Sequence, residues 1–183
     1  MTTVHRAKDP LLQPYKLKHL TLRNRFMSTA HEPNYQDDGL PKDRYIRYHE
    51  EKAKGGIALT MTAGSAVVSR DSSPVFGNLH AYRDEIVPWL KRLADACHEH
   101  GSACMIQLTH LGRRTVWNGA DWLPVVSPSN VREPAHRAFP KIMEDWDMDR
   151  IVRDYADAAE RVKEAGLDGF ELECYGHLLD SFW

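Results

Sequence analysis

The sequence lacks any apolar run near the roughly 20 residues that a membrane-spanning helix needs. Its N-terminal stretch, MTTVHRAKDPLLQPYK, lacks the apolar core of a signal peptide. It also lacks an excess of charge of one sign, because 24 Lys and Arg face 26 Asp and Glu and the formal charge is −2. We therefore expect no membrane partner and no nucleic-acid partner.

Cysteine is scarce, with only Cys97, Cys104 and Cys174 in 183 residues. The number is odd, and the spacing fits neither a zinc site nor a disulfide framework. These cysteines predict no metal site and a cytoplasmic location. What is present, 42% apolar and 27% charged residues, is typical of a globular domain with a hydrophobic core.

Strand and helix patterns alternate along the chain. Strand patterns cover 21–29, 57–64, 102–108 and 167–173, and helix patterns cover 41–56, 84–101 and 147–166. A long irregular stretch, 109–146, interrupts this alternation and is of the kind that carries function. Buried, nearly continuous apolar strands that alternate with helices predict a parallel sheet.

Two α/β architectures compete for this pattern: a doubly wound sheet and a (β/α)8 TIM barrel. A doubly wound nucleotide fold usually has a glycine-rich turn after its first strand, whereas residues 28–33 read Ser-Thr-Ala-His-Glu-Pro. This favours the TIM barrel, although such a barrel needs about 250 residues. We therefore expect residues 1–183 to supply only the first four βα units, truncated at strand 4.

In parallel barrels the site lies at the carboxyl ends of the strands. Small and hydroxyl residues follow the first two strands, which lets the backbone approach a flat polar ligand. Gln107 ends the third strand and can both donate and accept hydrogen bonds, which suits a heteroaromatic ring. The alternative is that Gln107 only satisfies the barrel backbone.

Four segments in order resemble the Old Yellow Enzyme family of FMN-dependent oxidoreductases. They are LRNRFMSTAH at 22–31, EKAKGGIALTMTAG at 51–64, QLTHLGRR at 107–114 and AGLDGFELE at 165–173. The resemblance is strongest to the long branch, which includes 2,4-dienoyl-CoA reductase, trimethylamine dehydrogenase and N-methyl amino acid demethylases. STAHEP and HLLDSFW look most like the demethylases.

The resemblance implies an FMN site with a small-molecule substrate. The backbone of Ser28, Thr29 and Ala30 would lie against the flavin ring, Ala63 would pack near its edge, and Gln107 would bond its pyrimidine portion. FMN is the cofactor expected of this region. A 4Fe-4S cluster and a dinucleotide are expected only in the C-terminal part that this chain does not contain.

The segment after the fourth strand departs from the family's ene-reductases. They carry a His-x-x-His or His-x-x-Asn pair that holds a substrate carbonyl, but this chain reads Glu173-Cys174-Tyr175-Gly176-His177. A carboxylate, an aromatic ring and an imidazole suit a methylated ammonium group instead. We therefore expect Glu173, Tyr175, His177 and, after the first strand, His31 to act in catalysis.

The predicted reaction is hydride transfer from an N-methyl carbon to the flavin, with loss of formaldehyde. The alternatives are an NAD(P)H-dependent ene or 2,4-dienoyl reductase and, in another class, a non-catalytic half-barrel module. Since barrels of this type grip the flavin phosphate after strands 7 and 8, we expect residues 1–183 alone to bind FMN weakly and to be inactive. Pairing of two copies into a homo-oligomer is a further alternative.

Overall fold

Four parallel strands form the central sheet of the computed structural model, which describes residues 9–72, 77–114, 123–135, 137 and 139–183. The strands are β1 (Tyr15–Leu17), β2 (Leu20–Leu22), β3 (Met27–Ser28), β4 (Leu59–Val67), β5 (Ala103–Thr109), β6 (Val126–Ser127), β7 (Lys141–Ile142) and β8 (Gly169–Leu172). The helices are α1 (Asp43–Lys54), α2 (Ile86–Glu99) and α3 (Asp145–Glu164), with 3-10 turns at Pro10–Leu12 and Leu179–Phe182.

The strand order of the central sheet is β3-β4-β5-β8, so neighbours in the sheet follow one another along the chain. All three pairings are parallel, and one long helix precedes each of β4, β5 and β8. Consecutive winding in one direction is how a βα barrel closes, whereas a doubly wound sheet reverses its strand order. The predicted barrel-type α/β architecture is confirmed.

Several predicted boundaries differ from the structure by two or three residues; the strand predicted at 57–64, for example, is Leu59–Val67. Residues 21–29 are not one strand, because β2 pairs back on β1 in a hairpin and β3 starts anew at Met27. Helix α3 starts at Asp145 with Glu144 as its N-cap, although the sequence suggested Asp147. The Asp147 carboxylate instead accepts the backbone N–H of Glu144 at 2.9 Å, as in a capping box.

The main core lies between the sheet and the three helices. Leu90 and Leu93 of α2, Ile106 and Leu108 of β5, and Ala158 of α3 are all fully buried there. A smaller cluster on the opposite face of the sheet joins Leu22 of the hairpin to Leu59 and Met61 of β4. Within the described residues, no helix is both long and apolar enough to cross a lipid bilayer.

Candidate active site

The carboxyl ends of the central strands and the loops that follow them line an open cavity of about 290 Å³. Its lining comes from all four βα units: Ala30, Glu32, Gly64, Ser65, Gln107, Arg114, Glu173, Tyr175 and His177. Five of these residues are ones the sequence singled out. The structure therefore brings the ends of the first and third strands, at Ala30 and Gln107, into one pocket.

A bulge in β4 shapes one wall of this cavity. Regular pairing with β5 breaks between Thr62 and Ala66, and Ala63 and Ser65 have φ of 50° and 77°. The hydroxyl oxygen of Tyr45 on α1 accepts the Ala63 N–H at 2.8 Å and the Thr62 hydroxyl at 3.0 Å. The buried Ala63 N–H, which has no sheet partner in the bulge, is thus satisfied by a helix side chain.

Gly64 brings the loop after β3 onto the bulge. Its N–H donates to the carbonyl of His31 at 3.0 Å. A Cβ at this position would lie 2.5 Å from the backbone nitrogen of Glu32, which is closer than real Cβ contacts come. Only glycine allows this approach, so Gly64 fixes where the residues after β3 meet the cavity.

Gln107 is held by the protein on both sides of its amide. Its Oε1 accepts the backbone N–H of Ser65 at 2.8 Å, and its Nε2 donates to Glu171 Oε1 at 2.5 Å. The side chain is almost buried yet still reaches the cavity wall. The orientation of the amide is therefore set before any ligand binds, and its bond to a flavin stays a prediction.

His177 lies in the segment that follows β8. Its Nδ1 is 2.8 Å from the hydroxyl of Thr109, at the end of β5. Burial, helped by the positive charge of Arg114, lowers the pKa of His177 to about 4. The imidazole is therefore neutral near pH 7.

Glu173 and Tyr175 come from the same segment as His177 and also line the cavity. The Glu173 carboxylate accepts the Tyr175 backbone N–H at 2.9 Å. The Tyr175 ring is 81% exposed and lies at the cavity mouth. A Cβ at Gly176 would meet the Arg114 guanidinium at 2.8 Å, so the cation from the loop after β5 lies directly over this turn.

Glu32 was missed as a site residue by sequence reasoning. Its Oε1 accepts the backbone N–H of Asn34 at 3.0 Å, while its Oε2 is buried and finds no partner among the described residues. Burial raises the pKa of Glu32 to about 7, against the opposing effect of the Asn34 bond. Its position just beyond a strand end, two residues after Ala30, was the available signal.

Four predicted residues lie near the cavity but do not line it. Ser28 accepts a bond from Lys52 at 2.9 Å, and Thr29 is exposed. The ring of His31 points to α1, where its Nε2 lies 2.6 Å from the Tyr48 hydroxyl. Ala63 is buried in the main core, and Gly64 and Ser65 form the wall in its place.

The predicted roles of all these residues stay predictions, since placement alone does not test them. His110 of the QLTHLGRR segment has a structural position. It is fully buried, its Nε2 lies 3.1 Å from Asp71 Oδ1, and its Nδ1 accepts the Gly112 N–H at 3.0 Å. His110 therefore holds the loop after β5 and does not line the cavity.

The donor set of the cavity fits the FMN ring that the family resemblance implies. A flat ring with alternating N–H and C=O groups needs small residues beside its face and mixed donors and acceptors at its edge. Ala30, Gly64 and Ser65 are small, and the Gln107 amide and Arg114 guanidinium supply polar edges. These residues would hold the ring.

Residues 10–183 match the model of the NADH:flavin oxidoreductase / NADH oxidase family. The probable N-methylproline demethylase of Rhizobium meliloti (strain 1021) is 69% identical over 174 residues, which are 95% of this chain and 26% of that protein. The multifunctional alkene reductase/demethylase OYE of Caballeronia cordobensis is 50% identical over 182 residues, which are 100% of this chain and 27% of that protein.

Morphinone reductase, solved with tetrahydroNAD, superposes with a TM-score of 0.84 at 22% identity, over 92% of this chain and 50% of that chain. The fold is therefore that of part of a TIM barrel. The chain spans about a quarter of the length of the two curated relatives.

Proposed function

The chain belongs to the NADH:flavin oxidoreductase / NADH oxidase family, and on that basis we propose that it is part of an FMN-dependent oxidoreductase that removes N-methyl groups from methylated amino acids. The observation that carries this proposal is the 69% identity to a probable N-methylproline demethylase. The cavity supports it, because two carboxylates, Glu32 and Glu173, and the Tyr175 ring lie where a cationic amine would bind.

In this proposal the chain's own residues bind and orient the substrate. Gln107, Ser65, Gly64 and Ala30 hold the flavin edge, and bound FMN supplies a hydride acceptor. The Tyr175 face and the Glu173 carboxylate attract the methylated ammonium group at the mouth. His177 stays neutral and positions the amine nitrogen through its free ring edge.

The demethylation balances with water as co-substrate and with oxidised FMN as the hydride acceptor. A C–H bond of the methyl group breaks, and its hydrogen leaves as hydride to the acceptor. The nitrogen lone pair then forms a C=N bond to the former methyl carbon. Water adds to the resulting iminium, and the adduct breaks down to formaldehyde and the demethylated amine. The reoxidant of the flavin, the oligomeric state and the expected iron–sulfur and dinucleotide sites stay predictions.

A second candidate is the NAD(P)H-dependent reduction of an activated alkene. It draws on one specific observation, the 50% identity to a protein named for both alkene reduction and demethylation. Arg114 and His177 in the cavity are the groups that would approach a substrate carbonyl. The histidine pair expected of ene-reductases is absent from residues 173–177.

The test separates these functions. The longer protein of which this chain is proposed to be a part, supplied with FMN and an artificial electron acceptor, is incubated with N-methylproline, and formaldehyde is measured with proline as the matched control. In parallel, 2-cyclohexenone is supplied with NADPH and NADPH consumption is followed. We expect formaldehyde in proportion to acceptor reduced. Enone reduction without formaldehyde would favour the second candidate, and neither product would favour a non-catalytic module.

A further inference from the structure

We propose that Glu32 binds the protonated amine of the substrate and takes its proton before oxidation. This inference rests on the proposed demethylase function, and nothing in the sequence pattern assigned Glu32 a role. It makes Glu32 a catalytic residue that touches the substrate nitrogen. The argument starts from the way the carboxylate is held.

The position of the Glu32 carboxylate is fixed from two directions. The backbone before it is tied to β4, because the Gly64 N–H donates to the His31 carbonyl at 3.0 Å and Gly64 has no Cβ to push the loop away. The side chain is tied by its own loop, since Oε1 accepts the Asn34 N–H at 3.0 Å. The carboxylate is therefore held at one oxygen, and its second oxygen, Oε2, is shielded from bulk water.

Glu32 Oε2 is buried and has no hydrogen-bond partner among the described residues, although Glu32 lines the cavity. A buried carboxylate oxygen without a donor is costly, by roughly 1–3 kcal/mol or more, and folded proteins rarely leave one. The donor that best satisfies it is a cationic N–H, since charge-assisted bonds are the strong ones. A protonated secondary or tertiary amine carries this group.

The other ionisable groups of the cavity do not take this role. They are Arg114 from the loop after β5 and Glu173, Tyr175 and His177 from the segment after β8, with Tyr45 on α1 behind the bulge. Arg114 repels an ammonium group. Glu173, like Glu32, has one oxygen that accepts a backbone N–H, but within the described residues only Glu32 has a buried carboxylate oxygen that lacks a partner. His177, with its pKa lowered to about 4, is a weaker base than Glu32, whose pKa burial raises to about 7.

The proton step is simple to balance. The substrate N–H bond breaks, its electron pair stays on nitrogen, and the proton joins Glu32 Oε2. No group is oxidised or reduced in this step. The freed lone pair is what the later C=N bond requires, so a substrate that remains protonated cannot be oxidised at its methyl carbon.

Binding of proline to the FMN-loaded longer protein, of which this chain is proposed to be a part, tests the site without turnover, because proline has an ammonium N–H and no methyl group to lose. We expect the Kd of proline to be constant above about pH 7 and to rise about tenfold per pH unit below it, as Glu32 becomes protonated. Glu32→Gln should bind more weakly at pH 8 and lose this dependence. Glu51→Gln, on the exposed face of α1, should behave like the unaltered protein.

Activity gives the second readout. Glu32→Gln should lower kcat/KM for N-methylproline by about 100-fold or more and remove the acid limb of its pH profile, since general bases contribute about 10²–10⁴-fold. Glu32→Asp, which keeps a carboxyl group, should retain that limb. Unchanged circular dichroism and urea midpoints would exclude misfolding of either variant.

The outcomes separate this inference from the proposed function. Proline binding that depends on Glu32, without formaldehyde from N-methylproline, would overturn the function and keep the ammonium site. Formaldehyde release with the same kcat/KM and pH profile in Glu32→Gln would keep the function and overturn the inference. The absence of proline binding by the unaltered protein at every pH from 5 to 8 would also overturn it.

Discussion

The side-chain carbonyl of Gln107 accepts a hydrogen bond from the backbone N–H of Ser65 at 2.8 Å. Ser65 lies in the bulge of β4 and Gln107 on β5, so this bond joins two strands where their regular pairing is interrupted. The same amide donates to Glu171 on β8 at 2.5 Å. The Gln107 side chain therefore links β4, β5 and β8 where it lines the cavity.

Removing and then reversing the donor and acceptor of the Gln107–Glu171 hydrogen bond tests this linkage. Gln107→Glu keeps an acceptor for Ser65 but places a second carboxylate against Glu171, so we expect it to lower the free energy of unfolding by about 1–3 kcal/mol. Adding Glu171→Gln reverses donor and acceptor and should restore most of the loss. Urea unfolding at pH 7 measures both variants. Equal stability of the single and double variants would show that the bond is not important.

Gly64→Ala tests the close approach of the loop after β3. The new Cβ would lie 2.5 Å from the Glu32 nitrogen and 2.6 Å from the His31 carbonyl carbon, both rigid backbone atoms. We expect a loss of about 1–3 kcal/mol in the free energy of unfolding, as for overpacking elsewhere, together with weaker FMN binding. Fluorescence titration with FMN and urea unfolding measure the two effects.

Gly166→Ala is the matched control for this variant. Gly166 has a φ of 80° and no atom within 4 Å of an added Cβ, so the substitution strains the backbone at the end of α3 without a clash. It should lower stability and leave FMN binding unchanged. If Gly166→Ala weakened FMN binding as much as Gly64→Ala, the effect would come from lost stability and not from the cavity wall.

The strands and helices could be predicted because their apolar periodicity is local in the sequence. The arrangement of the site residues was harder to predict. The wall at Gly64 and Ser65 depends on a bulge held by Tyr45, 18 residues earlier in the chain, and no local pattern around Ala63 announces it. The direction of His31 is set by Tyr48 on α1, another tertiary contact. Glu32 was not predicted as a site residue, because its unusual property is the burial of its carboxyl group. Burial of a single side chain cannot be read from the sequence alone.

Asp71 supports the loop after β5 from outside the cavity. It lies 3.1 Å from His110 Nε2 and accepts a 2.5 Å bond from Arg150 of α3. Burial raises its pKa, but these two partners outweigh burial and hold the pKa below 3.8. The carboxylate therefore stabilises the fold above about pH 3.8, and this contribution is lost as the pH falls through the lower folded value.

Asp71→Asn should lower the free energy of unfolding by about 2–3 kcal/mol at pH 7, because hydrogen bonds to charged groups are lost while the guanidinium remains. Chemical denaturation at pH 7 and pH 3 measures it, and the difference from the unaltered protein should shrink at the lower pH. Asp95→Asn removes an exposed partner of Lys91 on α2 and should change stability little. A loss of the same size in both variants would contradict a special role for Asp71.

His49 predicts how stability depends on pH. Its Nδ1 lies 2.7 Å from the Thr60 hydroxyl, its ring is fully buried, and burial, with the charges of Lys52 and His31, lowers its pKa to about 3. The unfolded chain takes up this proton near pH 6.5, so it binds more protons than the folded protein between those values. Stability should therefore be complete above about pH 6.5 and fall as the pH is lowered.

His49→Phe keeps an aromatic ring on Tyr45, whose centroid lies 5.2 Å away, and removes the titrating group. We expect it to cost about 1 kcal/mol at pH 7 through the lost Thr60 bond, yet to flatten the decline toward acid by up to about 1.4 kcal/mol per pH unit. Urea midpoints at pH 5, 6 and 7 measure both effects, with exposed His19→Phe as control. Parallel pH profiles for His49→Phe and the unaltered protein would mean that His49 has the same pKa in the folded and the unfolded chain, and that burial does not hold it neutral.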